Sequence, residues 1–387
     1  MKLFHVFTML LIIFSCNNEK LQSLNIKKSD DFKWNTKESC SVIFSNSENS
    51  DTLSGKIKYR GNTSSKYPKH SFSLELDRKY SFPNLPHDDD WILNASYIDK
   101  TFMRHKICYD IFREMSFKNI APKCDYINVK VNDKYEGLYI LMEEINGGML
   151  NLIKHDTMAM LFTAPPFLRK ERLPNKYVQD SLNYYQQKYP KIGVSDKTYY
   201  IQNFRDFIFH STDNEFAQNI SNWVDIENVI DWHILLLFSN NSDGLMKNFY
   251  LYKLDKFTPF RFAIWDYDHS FGRDTDNELN LMKRPIECNE SIFLERLTKI
   301  SETGYSLKLK NRWFELREKK IISISNFEHH ITENNKIIEG QVEKNFDKWK
   351  INSAWYYDDS DYDQEVNLMR NFVPIRIKQL DDYFNYN

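Results

Sequence analysis

Asn240-Asn-Ser-Asp243-Gly-Leu-Met-Lys-Asn248-Phe-Tyr250, followed by Phe262-Ala-Ile-Trp265-Asp266-Tyr-Asp268-His-Ser-Phe271-Gly272, is the stretch on which the reading of this chain turns. Upstream, Ile226, Val229, Ile230, His233, Ile234 and Leu237 recur at helical spacing behind Asp225, a residue suited to an N-cap. The stretch therefore opens where a helix ends. Two strand-like runs, Phe249–Leu254 and Phe260–Trp265, then form a hairpin whose second arm runs directly into Asp266 and Asp268. A loop Asp or Asn usually makes turns and caps. Two acids immediately after an apolar run are harder to explain that way, because burying them without a cation or donors is costly.

The spacing points to phosphoryl transfer. That reaction needs a carboxylate to accept a hydroxyl proton and oxygen ligands to hold magnesium on the phosphates. Protein kinases carry these as Asp-x-x-x-x-Asn on one loop and, a hairpin later, a metal-binding Asp ahead of Phe-Gly. Here Asp243 and Asn248 stand five positions apart, and Asp266, Asp268 and Phe271-Gly272 follow the hairpin. Hard oxygen ligands suit Mg²⁺ or Mn²⁺. His269 reads as a structural neighbour of these acids and not as a ligand.

Working outward, the amino-terminal side reads as strands with one main helix. Gly55–Arg60 and Phe72–Leu76 alternate like half-buried strands around the turn-rich Gly61-Asn-Thr-Ser-Ser65. From Lys100 to Met115, apolar residues at 103, 107, 111 and 115 predict an amphipathic helix behind Asp99 as its cap. Tyr126–Val131 and Gly137–Met142 flank Asn132-Asp133 as a hairpin. Residues 151–220 read as loops and short helices, and 290–350 as two or more helices. The order sheet, boundary, helices predicts a two-lobed α+β protein: residues 51–145 a small sheet-rich lobe, residues 146–387 a larger mostly helical one.

At the start, Leu3–Phe14 is apolar apart from His5 and Thr8, too short for a span of about 20 residues, and fits a secretory h-region behind Lys2. It ends at Ile13-Phe14-Ser15-Cys16, which resembles the bacterial lipoprotein signal. Residues 1–16 are then a signal peptide, Cys16 a lipidated membrane anchor, and residues 17–50 a polar tether and lead-in. An uncleaved anchor or a plain signal peptide is the alternative. Cys40, Cys108, Cys124 and Cys288 remain; they allow three complete pairings and lack C-x-x-C spacing. Cys108, inside the helical pattern, reads as a small core residue.

Composition removes several classes. The 387 residues are 41% hydrophobic and 27% charged, an ordinary globular balance. Lys+Arg is 52 against 54 Asp+Glu, a net charge of −2, so the chain has no bulk electrostatic pull toward nucleic acid, a local basic patch apart. With 10 glycines, neither a P-loop nor a dinucleotide-binding glycine pattern is present.

Taken together, these stretches resemble the spore-coat-protein-H (CotH) kinase family, an atypical branch of the protein-kinase-like fold. The likeness runs through Tyr59-Arg60-Gly61-Asn62-Thr63-Ser64, Pro68-Lys69-His70-Ser71-Phe72, Asp90-Trp91-Ile-Leu-Asn94 with Asp99 and Arg104, and Gly137-Leu-Tyr-Ile-Leu-Met-Glu143-Glu144. It continues through the Asp243 to Gly272 stretch into Phe293–Leu297 and Trp313, covering about residues 55 to 350. The resemblance implies a kinase using ATP and Mg²⁺ or Mn²⁺ on a protein substrate. It implies Asp243 as catalytic acid-base, Asn248 and Asp266 as metal ligands, and Asp268 as a further ligand. It implies Lys69 on the nucleotide phosphates, with Lys66 competing for that place. Arg60 would line the phosphate site, and Glu143 and Glu144 would sit where a hinge meets adenine. Glu114 or Asp110 would be the helix partner of Lys69. One departure is that Asn-Ser, not His-Arg, precedes Asp243. Free ATP is scarce outside the cytoplasm, so an exported binding or scaffold lipoprotein with a degenerate kinase core stands as the second reading. A metal-dependent phosphoesterase, lacking histidine-rich ligands, ranks third.

Overall fold

The computed structural model describes residues 21–152, 156–163, 186–273, 291–356 and 358–386. The signal segment with Cys16, and Cys288, lie outside them. Seven strands come first: β1 (Ser23–Lys27), β2 (Glu38–Ser45), β3 (Ser50–Arg60), β4 (Ser71–Ser81), β5 (His87–Asn94), β6 (Cys124–Val131) and β7 (Lys134–Glu143). They close into a barrel in the order β1-β2-β3-β4-β5-β7-β6. Helix α1 (Arg104–Met115) lies between β5 and β6 in the chain. A second sheet, ordered β11-β10-β8-β9, is built from β8 (Met160–Thr163), β9 (Gln187–Tyr189), β10 (Phe249–Lys253) and β11 (Arg261–Ile264). The helices after α1 are α2 (Thr198–His210), α3 (Asp213–Trp223), α4 (Ile226–Ser239), α5 (Ser242–Met246), α6 (Ile292–Lys299), α7 (Tyr305–Glu318), α8 (Ile324–Ile338), α9 (Gln341–Lys348) and α10 (Tyr362–Phe384). The chain is a mixed α+β protein, as expected.

Alternation along the strands explains how barrel and helices share one body. Tyr139 and Leu141 of β7 point into the barrel with Leu24, Ile57, Leu74 and Trp91. Leu138, Ile140 and Met142 point out, into the cluster that holds Ile107, Ile111 and the buried helix α4. The β6–β7 turn is Asn132-Asp133, both with positive φ (47° and 67°), which matches the twist of a tight hairpin.

Three expectations change. The segment read as a tether contributes β1 and β2, so the barrel begins at Ser23. Leu24 and Ile26 are fully buried, and β1 closes the barrel by pairing parallel to β6. Second, the main helix starts at Arg104 and not at Lys100. The Asp99 carboxylate accepts the N–H groups of Thr101 and Arg104 across a turn in which Phe102 has φ 61°. Third, residues 198–223 form two full helices, the second opened by a Thr212–Glu215 capping box. Cys40, Cys108 and Cys124 are free thiols.

A buried charge cluster ties the start of α1 to the carboxyl-terminal helix. Arg104 donates to Asp99 Oδ1 (2.6 Å), Glu365 Oε2 (2.9 Å) and the Ser270 carbonyl (2.9 Å). Arg273 also pairs with Glu365, and reaches Asp358 at 3.1 Å. Lys100 donates to Asp358 and to Ser360.

If β1 is structural, Ile26→Ala should cost about 2–5 kcal/mol. The readout is a lower urea midpoint at unchanged slope; a tether residue would leave the midpoint where it is.

Candidate active site

Helix α4 ends on Asn240 in the left-handed conformation (φ 57°), which turns the chain back toward its own last turn. Asn241 then caps α5 by accepting the Gly244 N–H. Gly244 leaves room for its neighbours, since a β-carbon would lie 2.8 Å from the Leu236 side chain and 2.9 Å from the Tyr267 hydroxyl and would displace them. This single turn carries Asp243, whose carboxylate meets Lys247 Nζ at 2.9 Å and whose carbonyl accepts the N–H groups of Lys247 and Asn248.

Asn248 joins this loop to the acids beyond the hairpin. Its Nδ2 donates to the Asp266 carbonyl (2.8 Å), and its own carbonyl accepts the Trp265 N–H (3.2 Å). With Nδ2 so used, Oδ1 is the atom left for a cation. Asp266 has φ 60°, an uncommon conformation for a residue with a β-carbon. Helix α1 braces it: the Asp266 N–H donates to the Tyr109 hydroxyl (2.9 Å) and the Tyr267 N–H donates to His105 Nδ1 (3.0 Å). One carboxylate oxygen each of Asp266 and Asp268, and one ring nitrogen of His105, lie within 4.8 Å of one another.

The electrostatics call for a positive charge. Desolvation in the cleft, then the Asp268 carboxylate, pushes the Asp266 carboxyl up to about 6. Burial also disfavours the Asp268 carboxylate, but the neighbouring His269 and backbone N–H donors outweigh it and hold that group below its ordinary range. Asp268 Oδ1 is nonetheless buried with no hydrogen-bond donor. A buried acceptor without a donor is expensive, and a hard divalent cation relieves that cost. Asp266, Asp268 and Asn248 Oδ1 fit such an ion.

Arg60 packs against Trp265, the residue before Asp266. Its guanidinium carbon is 5.4 Å from the centre of the Trp265 ring, and its Nη1 is buried without an acceptor. It borders a cavity of about 600 Å³ shared with Trp34, Lys58, Asn62, Ser65 and Glu144. Lys69 is elsewhere. Its ammonium is buried and donates to the Ala95 and Leu138 carbonyls and to Asn345 Oδ1. All three donors are spent, and burial drops its pKa well below the usual lysine range. The phosphate contact expected of Lys69 therefore does not fit its position. Lys66 is exposed on the turn before it. Neither Glu114, which meets His330 and Asn326, nor Asp110, which meets Lys106 and Arg113, pairs with Lys69. Glu143 is also structural, its carboxylate accepting the Lys123 N–H at 2.7 Å, while Glu144 faces the cavity. The sequence reading missed His105, Tyr109 and Trp34. The first two sit four residues apart on the face of α1 opposite the stripe at 103, 107, 111 and 115, where polar residues are ordinarily solvated, so the pattern carried no signal for them.

The fold and the site define a mixed α+β protein with an amide and two acids converging on a candidate cation site. The chain belongs to the CotH kinase family: the family model, described as CotH kinase protein, matches residues 57–380. Inner spore coat protein H of Bacillus subtilis (strain 168) is 26% identical over 224 residues, which is 57% of this chain and 60% of that relative. Strands β1 and β2 precede the matched residues.

Two predictions follow from the geometry. Lys69→Met should destabilise the fold by about 1–3 kcal/mol for each acceptor left unpaired, whereas Arg60→Ala should leave the melting temperature nearly unchanged. A divalent cation held at this site would require Asp266 ionised. Because its carboxyl is raised to about 6 in the folded protein, the cation-free fold gains stability as the pH falls through that value. Over the same interval protons displace the cation, so Mn²⁺ affinity by calorimetry should drop by about tenfold per pH unit below 6.

Proposed function

We propose that the protein is a CotH-like kinase that transfers the γ-phosphoryl group of ATP to a hydroxyl of a protein substrate. The observation that carries this reading is the pairing of the Asp266 and Asp268 carboxylates, one of whose oxygens is buried with no donor, with Asn248 bonded to the Asp266 backbone on the loop that carries Asp243. In this reading Asn248, Asp266 and Asp268 hold Mg²⁺ or Mn²⁺. The ion, when bound, neutralises charge on the β- and γ-phosphates. Asp243 accepts the proton of the acceptor hydroxyl while the new O–P bond forms and the bond to the ADP oxygen breaks. Arg60 supplies the small-side cation for the phosphates, in place of Lys69, and its fork suits two phosphate oxygens. The cavity beside Arg60 receives the rest of the nucleotide.

The same proposal places the protein in the cell envelope. The apolar run ending at Cys16 would export the chain and leave a lipidated cysteine in the membrane, with no part for nucleic acid. The spent donors of Lys69 favour a second reading, a lipoprotein that binds a partner through this fold without turnover.

Incubation with γ-labelled ATP and Mg²⁺ or Mn²⁺, beside Asp243→Ala and Asp266→Ala, separates the two. Label on protein acceptors should fall by at least about a hundredfold in both variants. No label, together with no ATP-induced rise in melting temperature, would move the weight to the binding reading.

A further inference from the structure

His105 lies within ligand distance of the two acids, and a cluster of one imidazole and two carboxylates resembles a metal site. Its hydrogen bonds argue for a different role. His105 is buried, and its Nδ1 receives the backbone N–H of Tyr267 at 3.0 Å. A backbone N–H can only donate, so Nδ1 must carry the lone pair. In a neutral imidazole the proton is then on Nε2. Nε2 faces Asp266 Oδ1 at 3.7 Å. The Asn94 amide nitrogen, 3.4 Å from Nε2, is itself a donor, its Oδ1 being fixed by the Ser96 N–H at 2.7 Å, so it cannot accept the Nε2 proton, and the shorter Tyr267 contact decides the tautomer. An Nε2 that carries a proton has no lone pair for a metal.

We propose that His105 is a positioning residue and not a ligand: fixed as the Nε2–H tautomer by the Tyr267 N–H, it points a donor at Asp266 and sets that carboxylate for the cation. The inference rests on the reading of Asp266 as a metal ligand. It also gives α1 a task. The coupling expected between a helix carboxylate and Lys69 is absent, and α1 instead holds the metal-binding turn through His105 on Tyr267 and Tyr109 on Asp266. A residue in the left-handed conformation needs such bracing. Outer partners of metal-binding carboxylates commonly govern affinity by about 10–100-fold.

Two variants divide the ring into its halves. In His105→Asn the side-chain oxygen replaces Nδ1 as acceptor for the Tyr267 N–H, and nothing replaces the Nε2 donor. In His105→Gln the amide nitrogen replaces Nε2, and the Tyr267 N–H loses its acceptor. Mn²⁺ binding is measured by electron paramagnetic resonance on the full chain in detergent, with the melting temperature recorded alongside. His105→Asn should keep a melting temperature near that of the unmodified protein and bind Mn²⁺ at least about tenfold more weakly. His105→Gln should melt earlier and recover most of the Mn²⁺ affinity. The spin-echo spectrum of the unmodified protein with Mn²⁺ should lack the nitrogen coupling of a directly bound imidazole. That coupling, if present and lost in His105→Asn, makes His105 a ligand and overturns the proposal. Mn²⁺ affinity unchanged in His105→Asn overturns it as well. If the unmodified protein binds no Mn²⁺, the cation reading of Asp266 fails first and takes the positioning role with it.

Discussion

The architecture depends on six charges held together behind the candidate site, five of them buried and Asp358 half-buried. Asp99, Asp358 and Glu365 face Lys100, Arg104 and Arg273, and the arrangement balances in sign. Arg104 opens α1, Arg273 follows the Asp266–Asp268 turn, and Glu365 lies in α10. One cluster thus holds the brace, the acids and the carboxyl-terminal helix in a common frame. Taking such groups out of water costs several kcal/mol per ion, and only near-complete pairing offsets it. Ser360 and Arg273 together hold Asp358 below its ordinary range despite burial. The cluster does little for net stability compared with an apolar core of equal volume. What it adds is registry: few other placements of these three segments satisfy all six charges.

Registry matters because the acids depend on distant segments for their placement. Asp266 is in a conformation that its side chain disfavours, and Asp268 Oδ1 has no donor. Both costs are borne by the surroundings, through two α1 side chains on consecutive backbone amides and through Asn248 on the Asp266 carbonyl. Neighbouring carboxylates that repel in the absence of a counter-ion are what an oxygen-ligated cation site requires.

Much of this was legible in the sequence. Period-two alternation located β3, β4, β6 and β7, and helical spacing behind Asp225 located α4, because each pattern is local. The approach of Asn248 to Asp266 followed from a helix, a loop and a hairpin in that order. What stayed hidden was set by distant partners. Lys69 reads as a phosphate-binding cation until Asn345, 276 residues away, takes one of its donors. Ser23-Leu-Asn-Ile-Lys27 alternates, but it is short, and its polar surroundings read as a tether until β6 lies beside it. His105 lies off the apolar stripe of α1, and its partner is a backbone N–H, which no residue identity betrays.

The pairing of Ser23–Ile26 with Asn128–Val131 has one more consequence. The barrel's seam joins β1 to β6, so β1, although β2 can pair with it early, must wait for about a hundred residues before its seam partner has been synthesised. Non-local pairing of this kind slows folding. Once the seam closes, however, the barrel has no free edge from which its strands can recruit those of another molecule.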